Sequence, residues 1–136
     1  MRLSDLRGKA VVLYFFPKAF TPLCTVETRR FRDNHAELAE LGAQVIGVST
    51  DELGAQCEFG RRHQVNFPLL ADPERRIVSA YGVSWPMLAR ARRVTFVVDE
   101  QGRVELVCWH EFQVSKHLDE VLIHLRKRRR AAVHPR

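Results

Sequence analysis

The stretch VVLYFFPKAFTPLCTVE, residues 11–27, decides the fold because it passes from a buried strand through a loop into a helix. Its first part, residues 11–16, is rich in β-branched and aromatic residues. This composition predicts a strand covered on both faces, as in a parallel sheet between layers of helices. Pro17 ends the strand. Thr21 followed by Pro22 is typical of a helix start, where a hydroxyl can cap a free amide and a proline needs no N–H.

Cys24 falls in the first turn of this predicted helix. The unpaired N–H groups and the positive end of the helix dipole lie there, and they favour the thiolate form of a cysteine. Singly, Thr21, Pro17 and Cys24 could be a helix cap, a strand terminator and a small buried residue. Their occurrence together in one short loop favours a nucleophilic role for Cys24. Glu27, one helical turn further on, could position a neighbouring group or stabilise the helix start, and it is not included in the predicted site.

Strands alternate with helices along the rest of the chain, which is the pattern of an α/β sandwich. We predict a helix over about residues 22–41, a buried strand over 43–49, a second helix ending near 63, an antiparallel hairpin of strands 93–98 and 103–109 at the sheet edge, and a final helix from Ser115. With 136 residues, the chain is long enough for one domain with a real core and too short for two.

Composition narrows the function classes. The chain is 46% hydrophobic and 28% charged, which is ordinary for a globular protein. No apolar run approaches the roughly 20 residues of a membrane span, and the N-terminus has no apolar signal core. The three cysteines show no C-x-x-C spacing, which argues against a secreted disulfide framework or a zinc site. We therefore expect a cytoplasmic protein without a membrane partner and without a metal or other cofactor.

The net charge of +6 comes from the last residues of the chain. The segment RKRRRAAVHPR, residues 126–136, is rich in arginine and has no acidic residue, so the body is formally neutral. We predict a single domain over residues 1–125 followed by a solvated, frayed basic tail over residues 126–136. No aromatic residue is interleaved with the basic ones to stack bases, so nucleic-acid binding is not expected.

Pro17, Thr21 and Cys24 stand at P-x-x-x-T-x-x-C spacing directly after an apolar strand. With this motif the chain resembles the peroxiredoxins. Three later segments resemble the bacterioferritin-comigratory or peroxiredoxin Q group: GAQVIGVSTD at 42–51, FPLLADP at 67–73 and RVTFVVDEQGRV at 93–104. The resemblance implies a thioredoxin-like three-layer sandwich, with a central mixed sheet flanked by helices. Family members usually carry a further stretch with an N-terminal hairpin before the LSDLRGK motif, at which this chain almost opens, so either the hairpin is lacking or the start is truncated.

The resemblance assigns four site residues. Cys24 would be the peroxidatic cysteine, Thr21 would hydrogen-bond thiolate and peroxide, Pro17 would shield the sulfur from water, and Arg93 would hold the thiolate and polarise the O–O bond. Reducing a peroxide by displacement does require a thiolate, donors for the peroxide oxygens and a shielded pocket. The Cys24 sulfur would attack hydrogen peroxide or a small alkyl hydroperoxide, release water or alcohol and become a sulfenic acid.

How the sulfenic acid would be cleared stays open. Many peroxiredoxin Q members carry a resolving cysteine five residues after the peroxidatic one, where this chain has Arg29. Others carry it at a position that falls on Gly60, and Cys57 lies about one helical turn earlier. Cys57 could therefore resolve Cys24 after local unwinding, or it could be a packed residue, with an external thiol acting directly. Cys108 shares a strand face with apolar residues and is predicted to pack.

The expected reductant is thioredoxin or a similar small dithiol protein, and a monomer or a homodimer is expected. Two rival functions stay in view. A thiol-disulfide oxidoreductase on the same fold is disfavoured because residues 21–24 read T-P-L-C and not C-x-x-C. A peroxide sensor or redox relay would be oxidised once and then stall, whereas a peroxidase would cycle with a thiol donor.

Overall fold

The computed structural model describes residues 8–84, 91–110 and 113–133. Within them the strands are β1 (Ala10–Phe15), β2 (Ala43–Ser49), β3 (Leu69–Ala71), β4 (Val94–Val98) and β5 (Val104–Trp109). The helices are α1 (Pro22–Asp33), α2 (His35–Glu40), α3 (Leu53–Arg62), α4 (Arg76–Ala80) and α5 (Ser115–Val133). The prediction that the N-terminal hairpin is lacking concerns residues outside this described part, and it stays a prediction.

The strands form one mixed sheet in the order β3-β2-β1-β4-β5. The strand β1 runs parallel to β2, and β2 runs parallel to β3. On its other side β1 pairs antiparallel with β4, which pairs antiparallel with the edge strand β5. The predicted mixed sheet with an antiparallel hairpin at its edge is therefore confirmed.

Helices cover both faces of the sheet. Alternate residues of β1 point to opposite sides, because side chains in a strand alternate. Val12 and Tyr14 join a core with residues of α1, α2, α3 and α5, whereas Val11 and Leu13 join a second core that includes Val78 of α4. All six residues of β1 are buried. The central position of this strand fixes where the loop that follows it emerges.

The predicted single helix over residues 22–41 is wrong in one respect, because it is divided at Asn34. The side-chain amide of Asn34 donates to the backbone carbonyl of Arg30 at 2.8 Å. Asparagine side chains offer the backbone such local alternatives to helical bonding, and they are common where helices end. The first of the two helices, α1, carries the cysteine.

The prediction of a frayed C-terminal tail is wrong for residues 126–133, because α5 continues to Val133. Three arginines of this segment bind groups on other elements. Arg126 contacts the Glu37 carboxylate, Arg128 contacts Glu100 and lies 2.8 Å from Glu105, and Arg129 donates to the Glu40 carbonyl. The division into a domain and a tail stays a prediction. None of the helices in the described residues is both long and apolar enough to cross a membrane.

Candidate active site

The loop between β1 and α1 is fixed by the end of the neighbouring strand. Phe16 donates its backbone N–H to the Val48 carbonyl at 3.0 Å, which extends the pairing of β1 with β2. The backbone N–H of Ala19 then donates to a carboxylate oxygen of Asp51 at 2.8 Å. The Ser49 hydroxyl donates to the same oxygen at 2.7 Å. A charged acceptor just beyond β2 therefore holds the loop that leads to Thr21.

Thr21 is the N-cap residue of α1, and Pro22 occupies the first helical position, as predicted. The Thr21 hydroxyl does not cap a helix amide, however, and the cap expected from the sequence is wrong in this detail. The hydroxyl donates to the Lys18 carbonyl at 2.7 Å instead. Because its proton points at Lys18, the Thr21 oxygen keeps its lone pairs as hydrogen-bond acceptors. Pro17 is half-buried at the end of the strand.

Cys24 and Arg93 meet inside the protein although they are 69 positions apart in sequence. A guanidinium nitrogen of Arg93 lies 3.4 Å from the Cys24 sulfur, and the two residues are 0% and 3% exposed. The pairing of strands β1 and β4 explains why these two distant residues come together. Phe15, the last residue of β1, pairs with Val94, the first residue of β4. Arg93 therefore stands beside the point where the chain leaves β1 for α1.

The structure adds a charged residue to this pair that the sequence reasoning left out. Glu27 is 1% exposed, and its Oε1 atom lies 3.0 Å from Nη1 of Arg93. Glu27 follows Cys24 by three positions on α1, so the two side chains project from the same face of the helix. This three-residue spacing is the only sign of the role of Glu27 that the sequence offers. The spacing alone does not show whether the carboxylate is buried or exposed.

Arg93 stays charged in this buried position. Burial alone would lower the pKa of Arg93, but the nearby Glu27 carboxylate and Cys24 sulfur outweigh it, and the pKa is raised. One guanidinium therefore faces a carboxylate and a sulfur together. Charge-assisted hydrogen bonds of this kind are stronger than neutral ones.

Tyr14 of β1 packs against α1. Its hydroxyl is 2.9 Å from the Thr28 hydroxyl, and its ring stacks on Phe31 with a centroid separation of 4.7 Å. Burial raises the pKa of Tyr14, which keeps the hydroxyl neutral. The contacts hold the first turns of α1 against the sheet. Cys24 is thereby fixed relative to β1.

The other two cysteines lie in different environments. Cys57 is exposed on α3, so the interpretation of Cys57 as a packed core residue is wrong. No disulfide joins the three cysteines, all of which are in described residues. Cys108 is 1% exposed, which confirms that it packs, and burial raises its pKa. A raised pKa disfavours the reactive thiolate.

No group of three or more His, Cys, Asp or Glu side chains within residues 8–84, 91–110 and 113–133 is placed to hold a metal ion. The arrangement around Cys24 offers a nucleophilic sulfur, a cation and hydrogen-bonding oxygens in a buried setting. Such a set can perform displacement chemistry at sulfur, with the cation facing developing negative charge.

The chain is similar to a known protein family and to several known proteins. The model of the AhpC/TSA family matches residues 1–107. Peroxiredoxin Bcp of Bacillus subtilis (strain 168) is 39% identical over 129 residues, which cover 90% of this chain and 81% of that protein. The crystal structure of peroxidoxin BcpB from Mycobacterium tuberculosis matches with a TM-score of 0.88 and 37% identity, covering 93% of this chain and 85% of that one.

A further similar structure is that of the bacterioferritin comigratory protein of Xanthomonas campestris. It matches with a TM-score of 0.85 and 29% identity over 94% of this chain and 85% of that one. The structures of that protein include a trapped intermediate/ligand complex and concern its alkyl peroxide reduction activity.

Proposed function

This chain belongs to the AhpC/TSA family and is a thiol-dependent peroxidase, and we propose that its peroxide-reducing site is built from Cys24, Thr21, Pro17 and Arg93. The fold is the thioredoxin-like sandwich of the peroxiredoxins. The single observation that carries the proposal is the 3.4 Å approach of the Arg93 guanidinium to the Cys24 sulfur. Both groups are buried, so their interaction is weakly screened by water.

In the proposed reaction the Cys24 thiolate attacks one oxygen of the hydroperoxide. An S–O bond forms, the O–O bond breaks, and the departing oxygen takes up a proton and leaves as water or alcohol. The sulfur loses two electrons, which reduce the peroxide, and remains as a sulfenic acid. Arg93 carries positive charge beside the reacting atoms and stabilises the negative charge that develops on the peroxide oxygens.

Thr21 would orient the peroxide. Because its hydroxyl donates to Lys18, its oxygen can accept the O–H of the incoming hydroperoxide. Pro17 has no backbone N–H to bind water and would shield the sulfur side of the pocket. The carboxylate of Asp51, which binds Ala19, would hold this loop in the reactive geometry.

Cys57 is the candidate resolving residue. Leu53, at the start of the same helix, is 67% exposed, and Gly54 has no heavy atom within 4 Å of a Cβ built on it. Leu53 and Gly54 thus bury little apolar surface, but Gln56, next to Cys57, is 1% exposed and donates to the Leu70 carbonyl at 2.7 Å. Local unwinding that carries Cys57 towards Cys24 would have to break this buried hydrogen bond. A sulfenic acid on Cys24 attacked by the Cys57 thiolate would give a disulfide and water.

We further propose thioredoxin or a similar small dithiol protein as the reductant, acting in a reducing cytoplasm. An exposed Cys57 would present its half of a disulfide to such a donor. The protein would act as a monomer or homodimer, without nucleic acid. A coupled assay with thioredoxin, thioredoxin reductase and NADPH would support this donor if turnover saturates at micromolar thioredoxin, and the absence of turnover would rule it out.

The site is tested by peroxide consumption with dithiothreitol as the reductant. Cys24→Ser should abolish consumption, whereas Cys108→Ala, which changes a buried cysteine outside the site, should retain it. Arg93→Ala should slow the reaction about a hundredfold or more. Arg92→Ala is the matched control, because the Arg92 guanidinium lies 5.2 Å from the Trp109 ring centre. A near-normal rate in Cys24→Ser or Arg93→Ala would refute the proposed site.

Resolution is tested by intact mass under non-reducing conditions. Wild type and Cys57→Ser receive one equivalent of hydrogen peroxide in the presence of a sulfenic-acid trap. If Cys57 resolves, wild type loses the mass of two hydrogens and Cys57→Ser is trapped on Cys24. If both are trapped alike, an external thiol must attack Cys24 directly.

A further inference from the structure

A buried histidine lies behind the proposed site and has no part in the reaction described above. His117, on α5, is 0% exposed. Its Nδ1 atom is 2.8 Å from the Thr95 hydroxyl, and its Nε2 atom is 2.8 Å from the backbone carbonyl of His110. The same Nδ1 atom is 3.7 Å from Oε2 of Glu27. His117 thus touches the carboxylate that binds Arg93.

The hydrogen bonds assign the protons of His117. A carbonyl oxygen can only accept, so Nε2 carries a proton and donates it to His110. Burial lowers the pKa of His117 to about 4, so the ring is neutral at pH 7 and Nδ1 is an acceptor. The Thr95 hydroxyl therefore donates to Nδ1. The 3.7 Å approach to Glu27 is accordingly not an ion pair at neutral pH, and His117 does not draw the carboxylate away from Arg93.

Three elements meet at this histidine. Arg93 and Thr95 are two positions apart on an extended segment, so their side chains share one face. Thr95 is held by His117 from α5, while Arg93 reaches Glu27 and Cys24 on α1. The position of this segment relative to α1 sets the distance between the guanidinium and the sulfur. His117 contacts this segment through Thr95, and it also lies next to Glu27 on α1.

We propose that His117 is a positioning residue for peroxide reduction: by holding Thr95 and bordering Glu27, it keeps the Arg93 guanidinium against the Cys24 sulfur. The proposal rests on the proposed roles of Cys24 and Arg93. A neutral hydrogen-bonding side chain is what the position requires. A histidine that only filled the core would affect stability without changing the oxidation rate through Thr95.

The first experiment compares two substitutions at this position. Single-turnover oxidation of Cys24 by hydrogen peroxide is followed by quenched intact mass, and folding is checked by urea unfolding. His117→Phe removes both hydrogen bonds and should slow oxidation about tenfold, the size expected for losing one or two buried bonds. His117→Gln can still donate and accept, and it should react within about threefold of wild type. The control is His124→Phe, on the same helix, where the histidine contacts Glu105; its rate should not change.

The second experiment asks whether His117 acts through Thr95. In a Thr95→Val background, His117→Phe should change the oxidation rate less than about twofold, because effects that share one hydrogen bond do not add. A full tenfold effect in that background would overturn the proposal, as would a His117→Phe protein that folds and reacts like wild type. If His117→Phe does not fold, Thr95→Val removes the hydroxyl that donates to Nδ1. That variant should slow oxidation at least threefold, and a wild-type rate would overturn the proposal.

The proposed function and the proposed role of His117 would be refuted by different results. Peroxide consumption by Cys24→Ser would refute the proposed function itself. Inactive Cys24→Ser and slow Arg93→Ala, combined with no rate effect at His117 and Thr95, would refute only the role of His117.

Discussion

Acidification should destabilise this protein through His117, and the size of the effect can be worked out from its burial. The ordinary pKa of 6.5 falls to about 4 in the folded state because burial disfavours the charged ring. The unfolded chain therefore binds more protons than the folded one between these values. Stability that is fully present above about pH 6.5 is lost as the pH falls towards 4. At pH 4.5 the loss from this one residue is about 2 to 3 kcal/mol relative to pH 7.5.

Several other ionisable groups lie around His117, namely His110, Glu120, Arg93 and Glu27. The contribution of His117 must therefore be measured as a difference between wild type and a variant that lacks the ring. The free energy of unfolding is measured in urea at pH 7.5 and 4.5 for wild type and His117→Gln. The variant has no ring to protonate, and it should lose about 2 to 3 kcal/mol less than wild type over this interval. His124→Gln, on the same helix, is the control and should follow wild type within about 0.5 kcal/mol. Equal losses in wild type and His117→Gln would refute the reasoning.

Two further predictions concern the scaffold of the site. Gly47→Ala should lower the free energy of unfolding by about 1 to 3 kcal/mol in urea, because a Cβ there would lie 2.7 Å from the Tyr14 ring. The control Gly54→Ala meets no atom within 4 Å, and it should be neutral or slightly stabilising; equal losses would contradict the steric account. Asp51→Ala should slow single-turnover oxidation of Cys24 by about tenfold, since Ala19 loses its acceptor, whereas Asp51→Asn retains an oxygen and should be affected less. A rate unchanged in both variants would show that the loop needs no anchor.

The strand, loop and first helix turn could be predicted because their signals are local. A run of buried β-branched and aromatic residues, a terminating proline and a Thr-Pro helix start lie within 17 residues, 11–27. Each acts through its neighbours in the chain, so a sequence pattern suffices. The place of Arg93 came from family resemblance, and the antiparallel pairing of β1 with β4 supplies the physical reason for it.

The role of Glu27 could not be predicted because its environment is built from distant segments. Its ionic partner, Arg93, is 66 positions away, and His117 comes from a later helix. The basic C-terminal segment shows the same limit. Its composition is typical of a solvated end, yet Arg126 and Arg128 bind carboxylates that are 89 and 28 positions away. Composition describes the charges in a segment but not which partners the fold brings to them.

The balance of charge around Cys24 changes when its sulfur is oxidised. When Cys24 is a thiolate, two anions, its sulfur and the Glu27 carboxylate, face the single guanidinium of Arg93. Like charges in a poorly screened interior repel each other. Oxidation to sulfenic acid removes the charge on sulfur and leaves Glu27 and Arg93 as a balanced pair. Arg93 therefore keeps an anionic partner, Glu27, after the sulfur has lost its charge, and its guanidinium stays paired in both states. A neutral His117 adds no further charge beside this pair.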